Sequence, residues 1–503
     1  VTTTDFLFRV IELARARPNH IAVKDLERSL TYGELIDEAA AVGAGLAVHG
    51  VARGDRVSLL LENSVDFVVA SIATLWVGAV FVPLNVNDPV ERIAMILADC
   101  EPSIVISVDP DGSGVGDARR TVSFAALRAD TNEQPRPSDA RPTAVYMIYT
   151  SGTTGTPKGV LVGSSAFSAA LSATVDALNL GEGTRTLCVS PFYFDGSFAT
   201  LFPTLFAGGT VVIRPRSTLL FPQTFFKAIT SEDITYTGFS PTYLRLLLSS
   251  ARVRELSASS LEIVALGGEN SSAIDIRKLW SHAPDLKVYN RYGPTETTIA
   301  VTHILLTTEM VSDDVVPLGS PHPDVSFHLV DEEGRVRDET NQMGELYIGG
   351  VQLMEGYWGA ADLTSEVLRR DVVPGELVYR TGDLVYRNSD GHYVYVERAD
   401  RVVKRSGVRI SLVEIASAVR GVEKVEDAVC LAFDLDGELG VVVFVVADES
   451  ISVRQIRTQA SERLPDNMLP DRVEFVKEFP LTASGKLDER QLLGDAGLRA
   501  IRR

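Results

Sequence analysis

Lys158 closes a run of hydroxyl-bearing residues and glycines, TSGTTGTPKG at 150–159, whose composition suits holding a chain of phosphates. Thr150, Ser151, Thr153 and Thr154 supply hydroxyls, Gly152 and Gly155 let backbone N–H groups turn toward an anion, and Lys158 adds a positive charge. The run is not a Walker A loop, because Lys158 follows Pro157 and precedes Gly159 instead of standing before a Ser or Thr that opens a helix. Apolar, β-prone residues at 144–149 and 160–162 predict a loop strung between two strands, against the alternative of a flexible linker.

Further along lie other residues whose types could do chemistry. Asp195 stands beside Gly196 in the aromatic run SPFYFDGSF at 190–198. It reads either as the cap of a helix begun by Ser197 and Phe198, or as an anion set in an apolar pocket to receive an ammonium. Residues 263–269, IVALGGE, form a strand that stops at Gly267 and Gly268, where a flat ring could approach the backbone. In VYNRYGPTETT at 288–298, Tyr292 could stack on a base, Thr295 meet a phosphate and Glu296 a magnesium ion; a plain turn into a helix is the competing reading. Asp383, after Gly382, could accept the two hydroxyls of a ribose or serve an ordinary turn. Lys486, on the loop LTASGKL at 481–487, reads in isolation as solvated surface.

The elements that must position these residues alternate. A helix is expected over 5–17, a second capped by Thr31 and running to His49, a strand over 56–61, a helix over 65–75 and a strand over 78–84. Helix 165–178 and strands near 185–189, 211–213, 234–236 and 263–266 continue the pattern, which predicts an α/β fold with parallel sheets. Residues 109–118 and 130–142 read as exposed connectors. Beyond residue 315 short strands and acidic turns predict a small β-rich subdomain; the last hundred residues, with helices at 412–419 and 453–463 and strands at 425–432 and 440–446, predict a small α+β domain.

With 503 residues the chain has room for two to four domains. A formal charge of −19 disfavours nucleic acid as a partner, since a phosphate-tracking surface needs excess Lys and Arg. Cys100, Cys188 and Cys430 are odd in number and widely spaced, so neither a disulfide frame nor a zinc site is expected. No signal pattern opens the chain and no run of about 18 apolar residues occurs, so no membrane partner is expected and the expected compartment is the cytoplasm.

In this order the motifs resemble those of the adenylate-forming superfamily, and within it the amino-acid adenylation enzymes of nonribosomal peptide synthesis. The resemblance runs from LTYGE at 30–34 to the Lys486 loop and implies a large N-terminal adenylation core over 1–399 and a small mobile C-terminal domain over 400–503, hinged at Asp400. It implies ATP and Mg²⁺: Thr150 to Lys158 on phosphates, Tyr292 on adenine with Gly267, Gly268 and Asn290, Thr295 on phosphate, Glu296 on the metal, Asp383 and Arg398 on ribose with Tyr395 alongside. Lys486 would bridge substrate carboxylate and ATP, which displaces its surface reading.

Asp195 matches the position at which amino-acid-activating members bind the substrate amine, and Phe194 the aromatic gate beside the reacting carboxylate. The pocket positions fall on Asp195, Gly196, Ala199, Gly238, Leu266, Gly268, Arg291, Ile299 and Ala300. Their small size predicts a long or branched substrate side chain; Arg291 could instead pair with a polar group on the substrate or form a structural ion pair. The FDGSF run resembles stand-alone enzymes that load β-amino acids as macrolactam starters, so a β-amino acid with an aliphatic side chain is the expected substrate and a separate carrier protein, through its phosphopantetheine thiol, the expected acceptor. An acyl- or aryl-CoA ligase and an inactive nucleotide-binding module are the alternatives. Glu397, Arg405, Ser406 and Ser484 depart from the family's usual residues and bear on its thioester-forming conformation.

Overall fold

The computed structural model describes residues 5–109, 120–129, 143–150, 157–311, 315–337, 339–399, 402–405, 408–435, 438–448, 450–461, 464, 468–482 and 487–500. Ser151, Gly152, Thr153, Thr154, Gly155, Asp400 and Lys486 lie outside them, as do nearly all of the expected connectors at 109–118 and 130–142. The chain divides into two compact units, one of Val1–Gln342, Leu346–Thr381 and Tyr386–Val394, the other of Met343–Glu345, Gly382–Val385 and Tyr395–Arg503.

In the first unit an eight-stranded sheet runs Thr302–Leu305, Lys287–Tyr292, Ile263–Leu266, Tyr236–Phe239, Arg185–Cys188, Thr210–Ile213, Ile21–Lys24, Ser29–Thr31. All neighbours from Lys287–Tyr292 to Ile21–Lys24 pair in parallel, and the two outermost pairs are antiparallel. Inner strands Thr210–Ile213, Tyr236–Phe239 and Ile263–Leu266 are buried at every position, as continuous apolar runs in a parallel sheet require. A seven-stranded sheet runs Gly356–Tyr357, Lys158–Gly163, Ala144–Thr150, Val80–Pro83, Arg56–Leu60, Ile104–Ser107, Thr121–Ser123. The strand predicted over 78–84 begins only at Val80, because Gly78, at φ +76°, closes the preceding helix by donating to Leu75 O.

The two sheets share one core. Phe81 and Tyr146 from the second sheet meet Phe198 of helix Asp195–Ala207, and Phe167 of helix Ser164–Leu178 meets Phe202, at centroid distances of 5.2–5.8 Å with rings edge-on. Helix Asp195–Ala207 is buried from Ser197 onward, so its N-terminus is held by packing. Pro203 lacks the N–H that would bond Ala199 O; the buried Tyr236 hydroxyl donates to that oxygen instead, at 3.1 Å, tying helix to strand. The expected Thr31 cap is present as a full capping box with Glu34 on helix Tyr32–Val48.

Beyond residue 315 the chain is β-rich, as predicted, with Val325–Val330 antiparallel to Val336–Arg337 and Leu368–Arg369 to Val378–Arg387. The second unit holds strands Val425–Leu435, Glu438–Ala447 and Arg472–Phe475 in one sheet, with Ile415 and Val419 of helix Leu412–Arg420 and Ile456 of helix Val453–Ala460 in its core. All three cysteines are free and buried. Among the described residues no helix is long and apolar enough to cross a membrane.

Candidate functional site

The predicted strand–loop–strand is present: Ala144–Thr150 and Lys158–Gly163 are antiparallel, with Thr150 opposite Lys158. Gly356–Tyr357 pairs on the far edge, Tyr357 opposite Val160, and Trp358 N–H donates to Gly159 O at 2.8 Å. This places Lys158 Nζ 5.3 Å from the centre of the Tyr357 ring. The Tyr357 hydroxyl donates to Glu296 Oε1 at 2.7 Å. Lys158 and Glu296, distant in sequence, thus share one aromatic bridge. Tyr357 escaped the sequence reading; its only signal there is an aromatic after Gly356, common in turns.

Glu296 sits in the single 3₁₀ turn Thr295–Thr297, followed by two β-branched residues in left-handed backbone, Thr298 at φ +59° and Ile299 at φ +70°. Such conformations cost of order 1–3 kcal/mol each and persist only where the surroundings enforce them. Buried Gln352 does so. Its Nε2 donates to Ala300 O at 2.7 Å and Thr298 O at 3.3 Å, and its own backbone carbonyl accepts from Thr298 Oγ1 at 2.7 Å. Gln352 Oε1 then accepts from His322 Nδ1 at 2.9 Å, which leaves His322 Nε2 to accept from His303 Nδ1 at 2.8 Å. His303 Nε2, at the end of this chain, is buried with no partner among the described residues. Burial, with His322 and Arg291 nearby, holds the His303 imidazole well below its ordinary pKa, and burial lowers that of His322.

A second group of residues gathers at the carboxyl ends of the parallel strands, where α/β sheets bind ligands. Gly238 lies in register with Cys188 and Ala265, and Leu266 with Asn290. Asp195 is the first residue of its helix, and the cap residue Phe194 makes no side-chain cap bond, so the helix starts two residues earlier than the capping reading requires. Asp195 and Gly196 are half-buried, and nothing lies within 4 Å of a Cβ built on Gly196. Burial, and then the charge of Asp195, push the Tyr146 hydroxyl well above its usual range.

The small pocket residues are expected to leave room for a long or branched side chain; Arg291 takes the space beside Gly238 and Gly267, while Gly196 and Gly268 face open space. A Cβ on Gly267 would fall 2.4 Å from Arg291 Cγ, and one on Gly238 would fall 2.8 Å from Thr200 Cγ2 and 3.1 Å from Arg291 Nη1. The glycines admit the arginine. Ala199, Leu266, Ile299 and Ala300, the other pocket positions, are buried.

Of the expected adenine contacts, Gly268 is exposed at φ +83° with open space at its Cβ position, and Tyr292 ends its strand half-buried. Asn290 is buried, accepting from Ser271 Oγ and donating to Pro317 O, each at 2.8 Å, so it also anchors the strand. In the second unit, Arg398 Nη1 pairs with the buried Asp383 Oδ1 at 3.1 Å; Gly382, at φ +73°, makes room for that guanidinium, since a Cβ there would meet Nη2 at 2.8 Å. Tyr395 belongs to the same unit.

No group of three or more metal-ligating side chains occurs among the described residues. One carboxylate, Glu296, held by the Tyr357 hydroxyl near a lysine, suits Mg²⁺ carried by nucleotide phosphates, since that ion keeps its waters and takes one or two protein carboxylates.

A family model described as AMP-binding enzyme matches residues 11–358, and one described as AMP-binding enzyme C-terminal domain matches residues 414–486. The chain belongs to this AMP-binding enzyme family, and so to the adenylate-forming superfamily that its motifs resemble. Tyrocidine synthase 1 of Brevibacillus parabrevis is 32% identical over 493 residues, covering 96% of this chain and 44% of that protein. Gramicidin S synthase 2 of Brevibacillus brevis is 30% identical over 492 residues, covering 96% of this chain and 11% of that protein. The chain therefore spans less than half the length of the first curated relative and about a tenth of the second. A four-domain nonribosomal peptide synthetase solved with AMP and glycine superposes at TM-score 0.84 with 27% identity, over 97% of this chain and 36% of that one. NpsA of Klebsiella oxytoca, solved with 3-hydroxyanthranilyl-AMSN, shares the fold at TM-score 0.87 and 24% identity, over 98% of this chain and 99% of that one.

Proposed function

We propose that the chain activates an amino acid with ATP, releasing pyrophosphate, and passes the acyl group to the phosphopantetheine thiol of a carrier protein. The observation that carries the amino-acid reading is Asp195, a half-buried acid in the first turn of a helix that is otherwise buried and apolar. A substrate ammonium is the natural complement of an acid in such a place. The curated relatives and the solved synthetase point the same way.

In the first step a substrate carboxylate oxygen attacks the α-phosphorus of ATP; the bond from that phosphorus to the bridging oxygen breaks, and pyrophosphate leaves with the electron pair. Lys158 and the hydroxyls from Thr150 onward hold the phosphates, Glu296 would carry Mg²⁺, and Lys486 neutralises charge that develops on the transferring group. Bound Mg²⁺ supplies further neutralisation of phosphate charge. Asp383 and Arg398 orient the ribose and Tyr292 stacks on adenine. In the second step the thiol sulfur attacks the acyl carbonyl and AMP leaves, after a movement hinged at Asp400. From the FDGSF run, a β-amino acid is the proposed substrate.

Exchange of labelled pyrophosphate into ATP, dependent on an amino acid, tests this. It should collapse in Lys486→Ala. Turnover with free coenzyme A and an acid lacking an amine would instead favour the CoA-ligase alternative, and ATP binding without pyrophosphate release the inactive module.

A further inference from the structure

We propose that Arg291 reads a second anionic group, so that the amino acid activated by this chain bears a carboxylate on its side chain; this rests on the reading that an amino acid binds with its ammonium on Asp195. Arg291 is only 7% exposed. Its Nη2 reaches Gly196 O at 3.3 Å, a long bond, while Nη1 is buried without a hydrogen-bond partner among the described residues. A guanidinium keeps its charge even when buried and has donors to spare, so an unmatched N–H in such a place signals a missing acceptor.

Charge balance says what kind. Asp195 and Tyr236 are the groups whose influence favours the Arg291 charge against burial. When a substrate ammonium takes Asp195, that compensation is divided between two cations. The carboxylate that reacts with ATP is committed elsewhere and cannot make up the difference. A second carboxylate restores neutrality, ammonium to Asp195 and carboxylate to Arg291, with the planar fork suited to two parallel N–H···O bonds.

The local construction fits. Gly238 and Gly267 clear the path of this side chain, since a Cβ at either would collide with it or press on it. Arg291 itself is fixed on strand Lys287–Tyr292, opposite His303 on the neighbouring strand. The pocket therefore selects by charge where glycines alone would have selected by volume.

The test is amino-acid-dependent pyrophosphate exchange by the intact chain with L-aspartate and L-glutamate, L-asparagine and L-glutamine, L-norvaline, and the β-amino counterpart of each. The acids should exceed their carboxamides and the apolar analogue by tenfold or more in kcat/KM. In Arg291→Met the acids should lose at least a hundredfold relative to the neutral substrates. Arg291→Lys, which keeps the charge and gives up the fork, should retain the preference for acids with a raised KM, and serves if the methionine variant does not fold. A parent enzyme that prefers amides or apolar side chains, or variants whose preference is unmoved, overturns the proposal while leaving amino-acid activation standing. No exchange with any of the set removes both.

Discussion

The Tyr357 hydroxyl donates to Glu296 Oε1 at 2.7 Å while Lys158 Nζ rests 5.3 Å from the centre of the same ring. One side chain thus links the cation proposed to bind phosphate and the carboxylate proposed to bind the metal. Tyr357→Phe keeps the ring and removes the bond to Glu296. Pyrophosphate exchange should fall about tenfold, the worth of one hydrogen bond to a charged group near 1.4 kcal/mol, and the Mg²⁺ concentration for half-maximal rate should rise. An unchanged Mg²⁺ dependence would deny Tyr357 this role.

Asp195→Ala should lower exchange with amine-bearing substrates by at least tenfold while ATP binding, followed by calorimetry, is kept. A charge-assisted pair to a buried ammonium contributes about 1.5–3 kcal/mol, which is roughly ten- to a hundredfold in affinity. If the parent enzyme works equally well on deaminated analogues, the amine is not what Asp195 binds.

Gln352→Leu should lower stability to urea by about 2–4 kcal/mol, because it leaves the His322 donor and the carbonyls of Thr298 and Ala300 without their partner beside two residues of left-handed backbone. Exchange should fall with it, since the same turn carries Glu296. A variant of parental stability would show that the turn holds itself.

Acid sensitivity should trace in part to His303. Its folded-state pKa lies below the unfolded value of about 6.5, so below that pH the unfolded chain binds a proton that the folded one refuses. Stability that is full above pH ~6.5 should decline as pH falls, by up to about 1.4 kcal/mol per pH unit for this group. His303→Gln should flatten the slope of urea midpoint against pH between about 7 and 5.5. Parallel slopes for the two proteins would show that His303 takes no part.

What could be read from the sequence was local. The hairpin around 150–158 announces itself because apolar runs flank a loop of hydroxyls and glycines, and the capping box at Thr31 and Glu34 needs only its own neighbourhood. Asp195 was legible as an acid among aromatics, yet whether it capped a helix depended on where packing would start that helix. Tyr357 and Gln352 act through chain distant in sequence, and no spacing rule points to them. What lies beside Gly238 was hidden for the same reason: Thr200 comes from helix Asp195–Ala207 and Arg291 from two strands away.

The proline in helix Asp195–Ala207 leaves Ala199 O to the phenol of Tyr236, two residues before Gly238 on its strand. Helix and strand are therefore riveted at the level of the proposed binding chamber, and Asp195 and Gly238 are parts of one casting. Attempts to redirect such an enzyme by swapping single wall residues would leave the rivet pulling against the new shape; transplanting 195–207 together with 236–239 should move the chamber whole.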